Sequence, residues 1–198
     1  MAAVLLGVVA ALSWSLHDVV ARSLALRIGP FRMAALVMIA GGILLTGIVV
    51  RHGTVWSAGH WAIALGLALG LAYGFGTGGL FKAFSLGPIS LVGPVTAGYP
   101  VLVVLWGMAH GLAPSVLQWA AVAATLAGAV VVVRSGPAAG GINAVAPGKL
   151  PVLACFCLVS ALGYAASIVL GQAAALTVGE IEATWLSRAT ALSPSCLS

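Results

Sequence analysis

The sequence predicts an all-α polytopic membrane protein, a bundle of six transmembrane helices plus a partial seventh, arranged as an inverted repeat of five-helix units. Hydrophobic residues make up 62% of the 198 residues and charged residues only 6%, with a mean hydropathy of +1.20. Soluble domains are about one quarter charged. A helix needs about 20 apolar residues to cross the hydrocarbon core, and windows of that length follow one another along this chain.

Six such windows are complete, and a seventh begins near Ile181. Only helices fit them, because isolated strands leave backbone groups unpaired in lipid. The N-terminal window lacks the basic start of a secretory signal, so we interpret it as the first span. The predicted spans are Ala2–Leu26, Pro30–Val50, Trp61–Leu80, Ile89–Met108, Val116–Val133 and Leu150–Leu170.

Cations are concentrated at the odd-numbered connections and tryptophans at the even-numbered ones, which supports the count of spans. Cytoplasmic loops are enriched in Lys and Arg, and Trp is enriched at membrane interfaces. The odd connections are therefore predicted to be cytoplasmic and the N-terminus external, in a multi-pass protein of a bacterial cytoplasmic (inner) membrane. The net charge of +5 comes from single cations and not from a basic patch, so we expect a lipid bilayer and no nucleic acid as partner. The cations are Arg27, Arg32, Lys82, Arg134 and Lys149 in the odd connections, and Arg51 and Arg188 in the second and sixth.

A repeat lies on either side of the long Gly-, Ala- and Pro-rich connection 135–148, which predicts a flexible linker. Residues 11–29 align without gaps on residues 161–179, with six identities and Trp14 opposite Tyr164. Five spans precede the linker, so the second unit enters the membrane from the opposite side, as in many secondary transporters. The predicted domains are a first unit at 1–134, the linker, and an incomplete second unit at 149–198. The polar tail after Ile181 cannot complete a span, so we expect a truncated, frameshifted or partial product.

The first span carries three ionisable groups in the stretch WSLHDVVAR. Trp14, Asp18 and Arg22 recur every four residues and share a helix face, with His17 beside it. A charge at the membrane centre costs at least about 2.5 to 3.5 kcal/mol, so this face is predicted to line a substrate or proton pathway inside the bundle. Asp18 and His17 are the candidate proton carriers. The alternative is an ion pair between Asp18 and Arg22, with the guanidinium directed toward the interface.

The third span repeats glycine at every fourth position, at Gly66, Gly70, Gly74 and Gly78. Small residues at this spacing let another helix approach closely. The pattern predicts helix packing, and a joint that slides during transport is the alternative.

The fourth span contains Pro94 and Pro100, which remove backbone donors and predict helix kinks. Carbonyls freed in this way are tolerated in a membrane where they face protein or a water-filled cavity. Thr96 and Tyr99 are then candidates to offer hydroxyls to a substrate. A static kink is the alternative.

No catalytic grouping is found. GxSxG and HExxH are absent, and His52, His60 and His110 lie in separate connections. We therefore predict no enzyme activity, no cofactor and no metal site.

Four stretches carry a family resemblance: WSLHDVVAR with Trp14 and Arg22, GPFRMAAL with Gly29, Pro30 and Arg32, LFKAFSLGPISLVGPVTAGYPVLVVL with Ala83, Pro94 and Pro100, and QWAAVAATLAGAVVVV with Gln118 and Gly128. Together they resemble the EamA-like branch of the drug/metabolite transporter superfamily. The resemblance implies two five-helix repeats and a secondary transporter that moves small metabolites or drug-like solutes, often outward, without ATP. Protons as coupling ions and a second copy of the chain as a homodimer partner are both open possibilities.

Two departures from the family pattern stand out. The family's Gly-Glu pair falls here on Gly111 and Leu112, so the acid is absent, and His17 and Asp18 replace an Asn or Ser and an apolar residue. The alternative function is a truncated, non-transporting fragment of such a transporter.

Overall fold

The computed structural model of the chain describes residues 2–52, 59–135 and 145–191, and this part is helical throughout, with no strand. A 3-10 turn, Pro147–Lys149, precedes the seventh helix. Most of the predicted linker and the tail beyond residue 191 lie outside the described residues. So does Trp56, one of the tryptophans in the predicted second connection. The helices are α1 (Ala2–Ile28), α2 (Pro30–His52), α3 (His60–Leu86), α4 (Ile89–Thr96), α5 (Tyr99–Ala109), α6 (Val116–Ser135), α7 (Leu150–Val178) and α8 (Glu180–Ala191).

Six segments of the described chain are long and apolar enough to cross a membrane, and α4 with α5 forms one of them. The prediction of an all-α polytopic membrane protein is therefore confirmed. Large apolar side chains remain exposed on the outer helices, for example Leu5 at 67% on α1 and Val116 at 87% on α6. Lipid tails cover such side chains at no cost in a bilayer.

The sixth span is longer than predicted, because α7 continues through small and apolar residues to Val178. Helix α8 begins at Glu180, one residue before the position expected for the seventh span. The assignment of Arg188 to a connection is wrong. This residue lies within α8, which packs against α2 and α3.

The most extensive helix–helix contact in the described part of the chain is between α3 and α7, and glycines permit their close approach. A Cβ built on Gly163 would lie only 2.5 Å from the backbone nitrogen of Gly76, and one built on Gly79 would lie 3.0 Å from that of Ser160. The two backbones therefore touch. Residues without bulky side chains permit this approach in membranes.

The four glycines of the predicted stripe face different neighbours. Gly66 and Gly70 meet α8, where a Cβ on Gly66 would lie 2.7 Å from that of Leu186, and Gly74 is buried. A Cβ on Gly78 would only reach ordinary contact, 3.8 Å from Phe31 of α2. The stripe therefore serves more than one helix.

Two helix junctions 150 residues apart share one geometry. Gly29 separates α1 from α2 with φ +94°, and Gly179 separates α7 from α8 with φ +93°. The amide of Gly29 donates to the carbonyl of Ala25 (3.0 Å), and that of Gly179 donates to Ala175 (2.9 Å). Glycine is needed at both junctions, because a Cβ disfavours this left-handed conformation.

The fourth span is broken at Ala97 and Gly98, between α4 and α5. Pro94 lies inside α4, and Pro100 lies in the first turn of α5, where a missing N–H is tolerated. The interruption thus falls between the two prolines.

Candidate functional site

A cavity of about 420 Å³ lies between α1, α3, α7 and the broken fourth span. Its volume is typical of small-molecule sites, which run from about 300 to 1,000 Å³. Its lining residues are Ala11, Trp14, Ser15, Asp18, Tyr73, Leu80, Gly93, Thr96, Ala97, Tyr99, Pro100, Tyr164, Ser167 and Ile168.

The cavity lies at half the height of the bundle. Tyr73 is the central residue of α3 and Tyr164 that of α7, while Trp14 lies next to the centre of α1. These three helices are each long enough to cross the membrane. The lining is therefore grouped around the middle of three helices that could each cross a membrane, and secondary transporters place their sites near the bilayer midplane.

The structure places four of the six predicted pathway and hydroxyl residues in the lining of this cavity and leaves His17 and Arg22 outside it. Trp14, Asp18, Thr96 and Tyr99 line it directly. His17 does not line it, but its ring lies 5.6 Å from that of Trp14. Among the kink prolines, Pro100 lines the cavity, whereas Pro94 is not part of the lining.

Asp18 is partnered by His17 and not by Arg22. Its Oδ1 lies 3.2 Å from Nδ1 of His17, and the two side chains are 27% and 33% exposed. No ion pair joins Asp18 to Arg22 in the described part of the chain, and Nε of Arg22 is buried without a hydrogen-bond partner. The carboxylate therefore faces the cavity without a guanidinium bound to it.

Three tyrosine rings meet in the cavity wall. The Tyr164 ring lies 5.8 Å from that of Tyr73 and 5.8 Å from that of Tyr99. The hydroxyl of Tyr164 donates to Oγ1 of Thr77 at 3.3 Å. Tyr73 and Tyr164 were not among the predicted site residues, although the repeat alignment placed Tyr164 opposite Trp14.

The hydroxyl of Thr96 is engaged within its own helix. Its Oγ1 lies 2.8 Å from the carbonyl oxygen of Val92 and 3.0 Å from that of Gly93. Its proton is donated to the backbone, which leaves the oxygen as an acceptor on the cavity side.

Arg188 packs behind the cavity wall. Its guanidinium carbon lies 4.3 Å from the centre of the Tyr73 ring, and Nη1 lies 3.3 Å from Sδ of Met38. It passes close to Gly41, where a Cβ would lie in ordinary contact, 3.6 Å from Nε. Arg188 does not line the cavity. Sequence reasoning missed it because its position depends on how α8 packs against α2 and α3.

The two sides of the repeat present equivalent positions to the cavity. Trp14 and Tyr164 are 150 residues apart, and so are Asp18 and Ile168, and all four line it. Helices α1 and α7 therefore turn the same face toward one space.

The described residues contain no group of three or more His, Cys, Asp or Glu that could hold a metal ion.

Comparison with known proteins gives one match. The model of the EamA-like transporter family matches residues 1–134 of the 198. No curated protein and no solved structure matches the chain.

Proposed function

Because the chain belongs to the EamA-like transporter family, we propose that it exports small metabolites or drug-like solutes as a secondary transporter, by alternating access around the central cavity. The observation that carries this proposal is the cavity itself, at mid-height and with Asp18 in its wall. An acid without an Arg or Lys partner at this depth is costly, and such acids mark ion or substrate pathways.

Alternating access requires two units that rock against each other. In this proposal residues 1–134 form the first unit, residues 135–148 the linker, and residues 149–198 belong to the inverted second unit. The matching glycine junctions at Gly29 and Gly179 support it. So does the contact of Arg188 with Met38, since these residues are 150 apart and equivalent residues touch only near the axis that relates two units.

The coupling ion in this proposal is the proton. Asp18 can release a proton to the cavity, and His17 can share it across the 3.2 Å separation. Proton and solute would then alternate at one carboxylate, which drives export without ATP.

The cavity is tested by filling it. Ala97 lines the cavity, whereas Val95 in the same span is 50% exposed and not part of the lining. We expect Ala97→Phe to abolish solute flux in proteoliposomes of the full chain, measured with radiolabelled leucine, glucose and benzyltrimethylammonium. Val95→Phe, which adds the same ring toward lipid, keeps wild-type flux. Equal flux of the two variants contradicts the proposal.

The proton role is tested with the same vesicles, with and without a pH gradient. Asp18→Asn keeps the shape of the side chain and removes its charge, so we expect the stimulation of flux by the gradient to disappear. His17→Ala should reduce the stimulation. Full gradient-driven flux in both variants rules out this coupling.

A further inference from the structure

We propose that the central cavity selects monovalent organic cations with an apolar body. This inference rests on the proposed function, because it assigns the cargo of the same cavity. Four features of the lining lead to it: one carboxylate, a set of aromatic rings, hydroxyl groups most of which already donate their protons, and an apolar remainder.

The charge of the lining is negative and single. Asp18 is the one acidic or basic side chain among the lining residues, since His17, Arg22 and Arg188 stand outside that set. Its Oδ1 is close to His17, and in the described part of the chain no protein donor is hydrogen-bonded to its other oxygen. One free carboxylate oxygen matches one positive charge, and opposite charges attract each other more strongly inside a protein than in bulk water.

The aromatic rings suit a cation. Trp14, Tyr73, Tyr99 and Tyr164 all contribute to the wall, and the faces of such rings attract ammonium groups. The protein shows the same chemistry behind the wall, where the guanidinium of Arg188 lies 4.3 Å from the centre of the Tyr73 ring.

Four of the six hydroxyl groups in the lining donate their protons within the protein, which disfavours anions, because anions need donors. The other two, those of Tyr73 and Tyr99, make no hydrogen bond within the described residues. Ser15 donates to the carbonyl of Ala11 at 2.9 Å, Ser167 to that of Tyr164 at 2.8 Å, and Tyr164 to Thr77 at 3.3 Å. The hydroxyl of Thr96 is engaged with backbone carbonyls in the same way. These four groups present mainly oxygen lone pairs to the cavity, and the negative end of such dipoles attracts a positive charge.

The remaining lining is apolar and matches a hydrocarbon body. Leu80 and Ile168 contribute from α3 and α7, and Pro100 from α5. A solute with one charged end and an apolar remainder therefore satisfies the whole wall.

The test is binding to the full chain in nanodiscs, measured with tritiated benzyltrimethylammonium. Two competitors have nearly the same shape: neopentylbenzene, in which carbon replaces nitrogen, and the anion 3-phenylpropionate. We expect both to displace the probe at least about ten-fold less well than unlabelled benzyltrimethylammonium, because they cannot pair with Asp18.

Variants test whether side chains of the cavity lining are responsible for binding of the probe. Asp18→Asn should weaken probe binding by about ten-fold or more, while Glu180→Gln, which removes the same charge from an exposed acid outside the cavity, leaves it unchanged. Tyr99→Leu should weaken binding about three-fold or more, and Tyr99→Phe, which keeps the ring, should not.

Displacement by neopentylbenzene as effective as by the cation, or unchanged binding to Asp18→Asn, overturns the assignment of cations. Absence of probe binding overturns it as well. The proposed function fails by a different result, namely that Ala97→Phe and Val95→Phe carry equal flux. A transporter of neutral solutes would fail the first test and pass the second.

Discussion

The contact between α3 and α7 predicts a large penalty for one added methyl group, in the variant Gly163→Ala. The Cβ of an alanine at this position would lie 2.5 Å from the nitrogen and 2.7 Å from the Cα of Gly76, and 2.8 Å from the carbonyl oxygen of Ala72. All three are backbone atoms of α3, so no side chain can rotate away. The helices themselves must separate.

The size of the penalty follows from the distances. Carbon atoms pack at about 3.5 to 4.0 Å, so α7 has to move by nearly 1 Å at this point. Overpacking a tight interior costs about 1 to 3 kcal/mol, and contact with backbone argues for the upper end. Alanine recovers about 1 kcal/mol of helix propensity relative to glycine. The net loss is therefore about 2 kcal/mol of the free energy of unfolding.

Gly171→Ala is the matched control on the same helix. Its Cβ would meet only the Leu69 side chain, at an ordinary 3.7 Å, so the variant should keep the propensity gain of about 1 kcal/mol. Unfolding of both variants by SDS titration in mixed micelles, followed by circular dichroism, gives the comparison. The expected difference between them is about 3 kcal/mol. Unfolding free energies that agree within about 0.5 kcal/mol would refute the close contact of the two backbones.

Two further predictions concern the junctions and α8. Gly29→Ala and Gly179→Ala should each cost about 1 to 2 kcal/mol, because both glycines have a left-handed backbone. A Cβ at Gly179 would also lie 2.7 Å from Oε2 of Glu182, but this atom is the end of a flexible side chain, so the same titration should give similar losses for the two variants; equal stability to wild type contradicts the shared geometry. Trp185→Phe should cost about 0.6 kcal/mol, because Nε1 of Trp185 donates to Oγ1 of Thr46 at 2.8 Å. An additional Thr46→Val change should then have no further effect, and a full second loss would show that the two side chains act independently.

The number of spans could be predicted from the sequence because bilayer thickness alone decides it. Each window had to supply a helix of sufficient length, whatever its neighbours. The face of α1 that carries Trp14 and Asp18 could also be predicted without knowing its neighbours, because a spacing of four residues places side chains on one face of a single helix. Both Trp14 and Asp18 line the cavity.

The partners of these side chains could not be predicted, because they depend on packing between helices. The spacing of Asp18 and Arg22 allowed an ion pair, yet Asp18 lies beside His17. Tyr73 joins the wall only because α3 meets α7 through Gly76, and Arg188 reaches Tyr73 only because α8 packs across α3. Local periodicity gives the face of a helix, whereas long-range contacts decide what that face meets.

The repeat explains how one cavity can combine a symmetric shape with one-sided chemistry. The positions of Trp14 and Tyr164 are equivalent and both hold an aromatic ring, so the two halves build similar walls. The positions of Asp18 and Ile168 are also equivalent, but only the first carries a charge. Rocking of two matched units would expose the cavity to either side of the membrane, while the carboxylate stays on α1 throughout. In the proposed mechanism a single residue thus supplies the charge that binds cargo or proton, and the repeat supplies the backbone that would move it.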